Sequence, residues 1–258
     1  MPELHARKLS KHYSGIRVVK DVEFTVRAGE VVGYLGPNGS GKTTTAKMLA
    51  GLVDPSTGVV EYDGRDIRDD VIGYRRQLGF IAEEPFLYPF LSGTEYLQLV
   101  GRLREIPETL LAKKIDGFLQ LFGLSVAADQ AIASYSKGMR QKIVISAALL
   151  HDPSVILFDE PETGLDVTTT LMLRHLVRLL ASRGKAILYS SHILEVVEKV
   201  CDRVIVLHKG AVVADDSIAS LRMLLERNSL EEVFKQLVIR EDPEVMARDL
   251  ADVSAMAG

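Results

Sequence analysis

A glycine-rich stretch, GPNGSGKT at residues 36–43, constrains the fold of this chain more than any other feature of its sequence. It directly follows the apolar run VVGYL, and its last threonine begins TTTAKMLAGL, which has helical character. A strand, a loop of the pattern G-x-x-x-x-G-K-[ST] and a helix in this order are typical of a phosphate-binding loop. The glycines let successive backbone N–H groups turn toward a phosphate, and the N-terminus of the helix adds positive charge. The stretch therefore predicts an α/β fold that binds a nucleotide.

The residues of this loop have separate expected roles in binding a nucleoside triphosphate. The Lys42 ammonium can reach the β- and γ-phosphates, and the Thr43 hydroxyl suits Mg²⁺. An ordinary glycine-rich turn is the alternative, and the flanking strand and helix argue against it. The residues expected to contact the nucleotide here are Gly36, Pro37, Asn38, Gly39, Ser40, Gly41, Lys42, Thr43 and Thr44.

Two adjacent carboxylates, Asp159 and Glu160, end a second apolar run, VILFDE. Open α/β sheets bind ligands at the carboxyl ends of their strands, so both side chains are expected beside the phosphate-binding loop. We expect Asp159 to hold the metal and Glu160 to orient or deprotonate a water that attacks the γ-phosphate. A plain polar strand end is the alternative for such a pair alone. With the phosphate-binding loop in the same chain, the pair indicates hydrolysis.

Apolar patterning predicts antiparallel strands first and helices next. Residues 3–35 contain short strand-like runs, and VVEYDGRDI contains an Asp63-Gly64 hairpin signal. From Ser92 to Leu150 apolar residues recur at helical spacing. This part of the chain is therefore expected to be helical.

The second half of the chain predicts a parallel sheet followed by a helical tail. The runs SVILFDE, KAILYSSH and RVIVLHKG are short, β-branched and nearly all apolar, as strands buried on both faces are. From Leu221 the sequence favours one or two amphipathic helices, and about the last twelve residues, with little apolar periodicity, are expected to fray.

Charge and composition narrow the class of protein. A net charge of −4 provides no basic surface for nucleic acid, so no nucleic-acid partner is expected. The single cysteine, Cys201, cannot form an internal disulfide, which suits a reducing cytoplasm. No apolar run is long enough to span a membrane, and the N-terminus lacks a signal-peptide core. A cytoplasmic protein is therefore expected.

The motifs GPNGSGKT, YSKGM, ILFDEPETGLD and SSH, in this order, resemble those of the ATP-binding cassette (ABC) ATPases over residues 3–215. The resemblance implies ATP and Mg²⁺ as ligands. It also implies a P-loop NTPase (RecA-like) α/β core with a parallel sheet, an N-terminal antiparallel β subdomain and an inserted α-helical subdomain. The expected ATP-binding domain is 1–225, with the helical subdomain at about 84–152, and 226–258 is a short helical tail.

The resemblance also implies functional roles for residues outside the phosphate-binding loop. Tyr13 matches the aromatic side chain that stacks on adenine, with a strand-end tyrosine as the alternative. His192 matches the histidine that contacts the γ-phosphate, which makes it catalytic together with Glu160. Ser136 and Gly138 match the signature motif, and Asp166 belongs to the loop through which two cassettes sense each other.

The signature motif departs from the commonest family form, Leu-Ser-Gly-Gly-Gln. Tyr135, Lys137 and Met139 replace the leucine, the first glycine and the glutamine. Ser136 and Gly138 retain the hydroxyl and the close backbone approach, so anion binding is expected to survive. Lys137 either adds positive charge near a phosphate or is solvated.

A second departure places Glu83 where the family has a glutamine that reaches magnesium. A carboxylate can still bind the metal, so Glu83 is an expected metal ligand together with Thr43 and Asp159. Glu84 is the alternative residue for this position.

The resemblance implies two protein partners. One is a second cassette, from a homodimer or a close paralogue, whose ATP the signature motif contacts. The other is an integral-membrane permease, expected to dock near Glu84 to Phe90 and to hold the chain on the inner face of the cell membrane. YSKGMRQK and NSLEEVF resemble ABC-2 type cassettes, so export is favoured over import. A soluble ABC ATPase that remodels nucleic-acid or ribosome complexes is the alternative, and a small-molecule P-loop kinase is a third.

Overall fold

The computed structural model describes residues 1–84, 86–227 and 229–238. Two sheets and a set of helices make up this part of the chain. The strands are β1 (Glu3–Tyr13), β2 (Ile16–Arg27), β3 (Val31–Leu35), β4 (Thr57–Tyr62), β5 (Arg65–Asp66), β6 (Leu78–Ile81), β7 (Val155–Asp159), β8 (Ala186–Ser190), β9 (Arg203–His208) and β10 (Ala211–Ser217). The helices are α1 (Lys42–Leu49), α2 (Val71–Gln77), α3 (Gly93–Leu103), α4 (Glu108–Leu121), α5 (Lys137–Leu149), α6 (Val167–Ser182), α7 (Leu194–Val200), α8 (Ile218–Leu224) and α9 (Leu230–Val238).

The larger sheet has the strand order β10-β9-β3-β8-β7-β6. Its strands pair in parallel except β10, which pairs antiparallel with β9. Every residue of β3, β7 and β8 is buried. Along β7, Ile156 and Phe158 pack into one hydrophobic cluster and Val155 and Leu157 into the other. Both faces of the sheet are therefore covered, which is why these strands are apolar throughout.

The smaller sheet is antiparallel, in the order β2-β1-β4-β5. Asp63 and Gly64 connect β4 to β5 with φ angles of 49° and 75°. Positive φ at both central residues matches the right-handed twist of a hairpin. The antiparallel strands predicted near the N-terminus are confirmed for β1 and β2, and so is the hairpin, whereas β3, also within residues 3–35, pairs in parallel with β8 and β9.

The middle of the chain is helical, as predicted. Helix α3 begins with a capping box, in which Ser92 and Glu95 bond each other's backbone N–H groups. Such caps stabilise a helix start by about 1 kcal/mol. Leu111, Ile115 and Leu119 form the buried face of α4. These side chains pack with α3 and α5 into the hydrophobic cluster beneath the parallel sheet.

The structure confirms the α/β fold class and adds strands that the patterning did not predict. Strand β6 lies at one edge of the parallel sheet, paired with β7, and Glu83 follows it closely. Helices α8 and α9 confirm the amphipathic tail, whereas residues 239–258, including the segment expected to fray, lie outside the described residues. The division into 1–225, 84–152 and 226–258 stays a prediction. In the described ranges no helix is long and apolar enough to cross a membrane.

A half-buried histidine just before β7, His151, should make stability depend on pH. Its Nε2 lies 3.0 Å from the Leu78 carbonyl oxygen, and burial lowers its pKa to about 4, assisted by the charge of Arg104. Between pH 6.5 and 4 the unfolded chain binds more protons at this residue, so the free energy of unfolding should fall as the pH falls through this window.

Substituting His151→Gln should flatten this pH dependence, because the amide can still bond the carbonyl but does not titrate. Urea unfolding of the variant and of wild type across pH 4–7 measures the difference. His175→Gln on α6, an exposed position, is the matched control and should leave the slope unchanged. Equal slopes for wild type and His151→Gln would contradict the prediction.

Candidate active site

A cavity of about 660 Å³ opens where the phosphate-binding loop meets the carboxyl ends of β7 and β8. It is lined by Val18, Asn38, Gly39, Ser40, Gly41, Lys42, Thr43, Thr44, Glu83, Asp159, Glu160 and His192. All of these except Val18 were singled out from the sequence. The predicted residues outside this lining are Tyr13, Gly36, Pro37, Ser136, Gly138 and Asp166.

The loop before α1 has a conformation that depends on its glycines. Gly39 and Gly41 adopt φ angles of 75° and 103°, which side chains rarely permit. A Cβ atom at Gly36 would lie 2.5 Å from the Leu207 carbonyl oxygen and from Ser40 Oγ. Helix α1 starts without a side-chain cap, which leaves N–H groups of its first turn available to an anion.

Lys42 carries the positive charge of this loop. Its Nζ donates to the carbonyl oxygens of Gly36 at 2.6 Å and Pro37 at 3.2 Å, so the side chain curls across the loop. Burial lowers the pKa of Lys42, and the carboxylates of Glu160, Asp159 and Glu83 oppose this change. One ammonium therefore faces three acidic groups across the cavity.

Asp159 presents an unpaired oxygen to the cavity. The residue ends β7 and is only 3% exposed. Its Oδ1 accepts a hydrogen bond from Ser190 Oγ at 2.6 Å, while Oδ2 is buried without a partner in the described part of the chain. Ser40 Oγ is buried and unpartnered in the same way. Buried polar atoms are nearly always satisfied, so both atoms point to a ligand.

Glu160 and His192 form a close pair at the edge of the cavity. Glu160 Oε2 lies 2.7 Å from His192 Nδ1, with the carboxylate side chain 11% and the imidazole 72% exposed. Glu160 has a φ of 50°, a strained value for a residue with a side chain. Burial raises the pKa of Glu160, and His192 opposes the rise. A carboxylate of raised pKa is suited to accept a proton from water.

Glu83 and Glu84 separate in the structure. Glu83 lines the cavity beside Lys42 and Asp159, whereas Glu84 lines two neighbouring cavities and not this one. Of these two residues, Glu83 is therefore the one near the phosphate-binding loop. It is also the residue that the sequence analysis assigns to the position of the family's glutamine, with Glu84 as the alternative. Its role as a metal ligand stays a prediction.

The signature residues lie outside the cavity, at the start of α5. Ser136 is the exposed N-cap of this helix, and its Oγ accepts from the Met139 N–H at 3.2 Å. A Cβ atom at Gly138 would lie 2.6 Å from the Gly164 carbonyl oxygen. The helix start therefore packs against the loop that follows β7, and Ser136 remains open to a second molecule.

Asp166 has a local structural role as the N-cap of α6. Its Oδ1 accepts from the Thr169 N–H at 2.8 Å, and its Oδ2 accepts from Thr169 Oγ1 at 2.7 Å. The backbone hydrogen bond, followed by the hydroxyl bond, holds the pKa of Asp166 at about 2. Lys142 Nζ adds an ion pair at 3.3 Å. These contacts connect α5 to α6, and a contact of Asp166 with a nucleotide stays a prediction.

Tyr13 lies at the end of β1, 44% exposed, with Lys11 Nζ 5.4 Å from the centre of its ring. Its stacking on adenine stays a prediction.

The sequence analysis did not identify two residues of the site: Val18, which lines the cavity, and Ser190, which donates a hydrogen bond to Asp159. A small polar residue at the end of the β8 run was the available signal for Ser190. Val18 had none, because it is one of several apolar residues in β2.

Comparisons with known proteins point to one family. A family model described as ABC transporter matches residues 19–163. The ABC transporter ATP-binding protein NatA of Bacillus subtilis is 37% identical over 236 residues, which cover 91% of this chain and 96% of NatA. The Nod factor export ATP-binding protein I of Ralstonia nicotianae is 35% identical over 213 residues, which cover 83% of this chain and 66% of that protein.

Two solved structures share the fold. The structure of an ATP binding subunit of an ABC transporter superimposes with a TM-score of 0.86 at 34% identity, covering 91% of this chain and 98% of the other. The dimeric structure of a post-hydrolysis state of the ATP-binding cassette MJ0796, bound to ADP and Pi, has a TM-score of 0.76 at 26% identity, covering 83% and 98%.

Proposed function

The chain belongs to the ABC transporter family as an ATP-binding subunit that hydrolyses ATP, and we propose how its own residues perform the reaction. One observation carries the proposal. Lys42, the unpaired Asp159 Oδ2 and the Glu160–His192 pair line a single cavity beside the start of α1. In this arrangement a cation and helix N–H groups hold the phosphates, and a carboxylate of raised pKa stands beside them.

Magnesium fits the donors of this cavity. Among the described residues, no three His, Cys, Asp or Glu side chains could hold a metal by themselves. Mg²⁺ is commonly bound by one or two carboxylates together with substrate phosphates, so a sparse protein site with an orphaned carboxylate oxygen is suitable. Asp159 would hold the ion with Thr43 and Glu83, and the ion would neutralise charge on the phosphates.

Glu160 orients the attacking water and accepts its proton. Burial raises the pKa of the Glu160 carboxyl group. The ionised carboxylate therefore binds a proton more strongly than that of an exposed glutamate, which makes it a better base. His192 holds one oxygen of Glu160 and, being exposed, is free to contact the γ-phosphate. Lys42 stabilises the negative charge of the phosphates during the transfer.

ABC ATP-binding subunits work as dimers, and Ser136 is suited to an intermolecular role. It is exposed at the N-terminus of a helix of 13 residues and lies outside the cavity that holds its own chain's phosphate-binding loop. We infer that Ser136 and Gly138 bind the ATP of a second cassette, identical or closely related. ATP then joins two cassettes, and hydrolysis releases them.

A groove between the parallel sheet and helices α3 and α5 is the proposed docking site for the membrane permease. The cavity there has a volume of about 490 Å³ and includes Phe80, Phe86, Tyr96 and Val144. Phe86 lines this cavity and is 78% exposed, and Phe90, four residues further along the chain, is 90% exposed. Phe86, Tyr88 and Phe90 are thus exposed within five residues, and such clusters of exposed apolar side chains mark interaction sites. Docking here would hold the chain at the inner face of the cell membrane, and the relation to the Nod factor protein favours export.

Replacing both Phe86 and Phe90 with serine should weaken this docking roughly tenfold or more, since each aromatic anchor contributes about 1–2 kcal/mol when buried. The measurement is the fraction of protein recovered with membranes when the permease, identified from the neighbouring gene, is co-expressed. Leu121→Ser on α4, also 78% exposed, is the matched control and should bind membranes like wild type. Equal recovery for wild type, the double variant and the control would refute docking through these two aromatic side chains.

Soluble ATPases that remodel nucleic-acid or ribosome complexes are not favoured. The net charge of −4 offers no basic surface for nucleic acid, and both relatives described above are named as ABC transporter or export proteins. Tight binding to nucleic acid without membranes would favour this alternative.

A further inference from the structure

The loop between β7 and α6 is joined to α6 by a partly buried ion pair that the roles above do not use. Glu162 accepts two hydrogen bonds from Arg174, from Nε to Oε1 and from Nη2 to Oε2, both at 2.9 Å. Tyr189 OH donates a third bond to Oε1 at 2.8 Å. The side chains of Glu162 and Arg174 are 10% and 25% exposed, and Tyr189 is fully buried. We call these three residues the Glu162 anchor.

The anchor fixes the middle of the short loop that runs from Glu160 to Asp166. Glu160, at a strained φ of 50°, begins the loop, and the Glu160 carbonyl accepts from the Thr163 N–H at 3.2 Å. The Glu162 carbonyl accepts from the Leu165 N–H at 3.1 Å, which closes the turn around Gly164. Arg174 on α6 and Tyr189 on β8 hold this turn from two sides.

Strand β8 connects the anchor to the reacting groups. Its residue Tyr189 bonds Glu162, the next residue Ser190 bonds Asp159, and His192 shortly after bonds Glu160. Beyond the anchor, the Gly164 carbonyl touches the signature helix at Gly138, and Gln141 Nε2 donates to the Pro161 carbonyl at 3.0 Å. A displacement of Glu162 would therefore move Glu160 and the contact with α5 together.

We propose that the Glu162 anchor is a positioning element for hydrolysis: Glu162, Arg174 and Tyr189 set the place of the Glu160 carboxylate and of the loop that meets the signature helix. The proposal rests on the catalytic role proposed for Glu160. A strained backbone persists only where its surroundings hold it, and a bidentate arginine–carboxylate pair is a rigid way to do so. Positioning errors of about 1 Å can cost roughly 100-fold in rate.

The test separates positioning from folding with paired substitutions. Arg174→Met removes the counter-ion of the Glu162 carboxylate, which is 10% exposed and keeps only the Tyr189 hydroxyl, so it should lower both kcat and the melting temperature, the latter by about 5 °C or more. Glu162→Gln combined with Arg174→Met removes the unpaired charge. This double variant should recover most of the melting temperature, while its kcat stays roughly 10- to 100-fold low with an almost unchanged KM for ATP. Arg174→Lys, which keeps the charge but loses the fork, should melt like wild type with an intermediate kcat.

Glu198→Gln combined with Arg222→Met provides the control. This pair bonds at 3.0 Å between α7 and α8 with side-chain exposures of 26% and 43%, and its loss should leave kcat unchanged. Recovery of kcat together with melting temperature in the Glu162 double variant would overturn the proposal, as would a raised KM at normal kcat. If Glu160→Gln hydrolysed ATP normally, the catalytic role of Glu160 would fail instead, independently of these variants.

Discussion

Replacing Glu160 with glutamine should abolish ATP hydrolysis and leave ATP binding intact. The amide has nearly the shape of the carboxylate and can still bond His192, but it cannot accept a proton from water. Loss of a positioned general base typically costs 10²–10⁴-fold in rate. Phosphate release and nucleotide binding, measured on the same preparation, test both parts of the expectation. Lys42 and Asp159 are unchanged, so the affinity for ATP with magnesium should stay near that of wild type.

The same variant should accumulate as a dimer, because ATP joins two cassettes and hydrolysis no longer separates them. Light scattering with saturating ATP and magnesium should report twice the monomer mass, and removing the nucleotide should return the monomer. The matched control is Glu195→Gln, which replaces an exposed glutamate in the first turn of α7. This variant should hydrolyse ATP and should not accumulate as a dimer. A monomer at saturating ATP would count against the proposed dimer.

Replacing Ser136 with arginine should also abolish hydrolysis, for a different physical reason. The residue is exposed and lies outside its own chain's cavity, so the monomer should bind ATP like wild type. A long charged side chain at the start of α5 would block approach to the partner's phosphates. Loss of the serine cap by itself costs only about 1 kcal/mol of stability, too little to unfold the chain.

Another serine N-cap provides the control for this cost. Ser217 Oγ accepts from the Ser220 N–H at 3.0 Å at the start of α8. The Ser217→Arg variant should therefore have a lower free energy of unfolding but should still hydrolyse ATP. ATP binding by the Ser136→Arg monomer is measured by titration at low protein concentration. Loss of that binding would mean that Ser136 acts within its own chain, and the role across the dimer would be wrong.

Local patterns were sufficient for most of the fold and for the centre of the site. The phosphate-binding loop is identified by glycine spacing between a strand and a helix, and β7 and β8 by apolar runs, because both signals lie within a few neighbouring residues. Strand β6 was not predicted, because its four residues, LGFI, are too few to show an apolar periodicity. It is a strand because β7 pairs with it, and that pairing joins segments far apart in sequence.

Residue types and spacing by themselves determined which chemical groups this protein has: a P-loop lysine, paired carboxylates after a strand, a histidine after another, and a second glycine-containing helix start at SYSKGMRQK. Tertiary structure decided which of them meet. It placed Glu83 rather than Glu84 at the cavity, engaged Asp166 as a helix cap and joined Glu162 to Arg174 and Tyr189. Hydrophobic periodicity is a property of residues that are close together in the sequence. A hydrogen bond between residues far apart in the sequence forms only when the folded sheet brings their strands together.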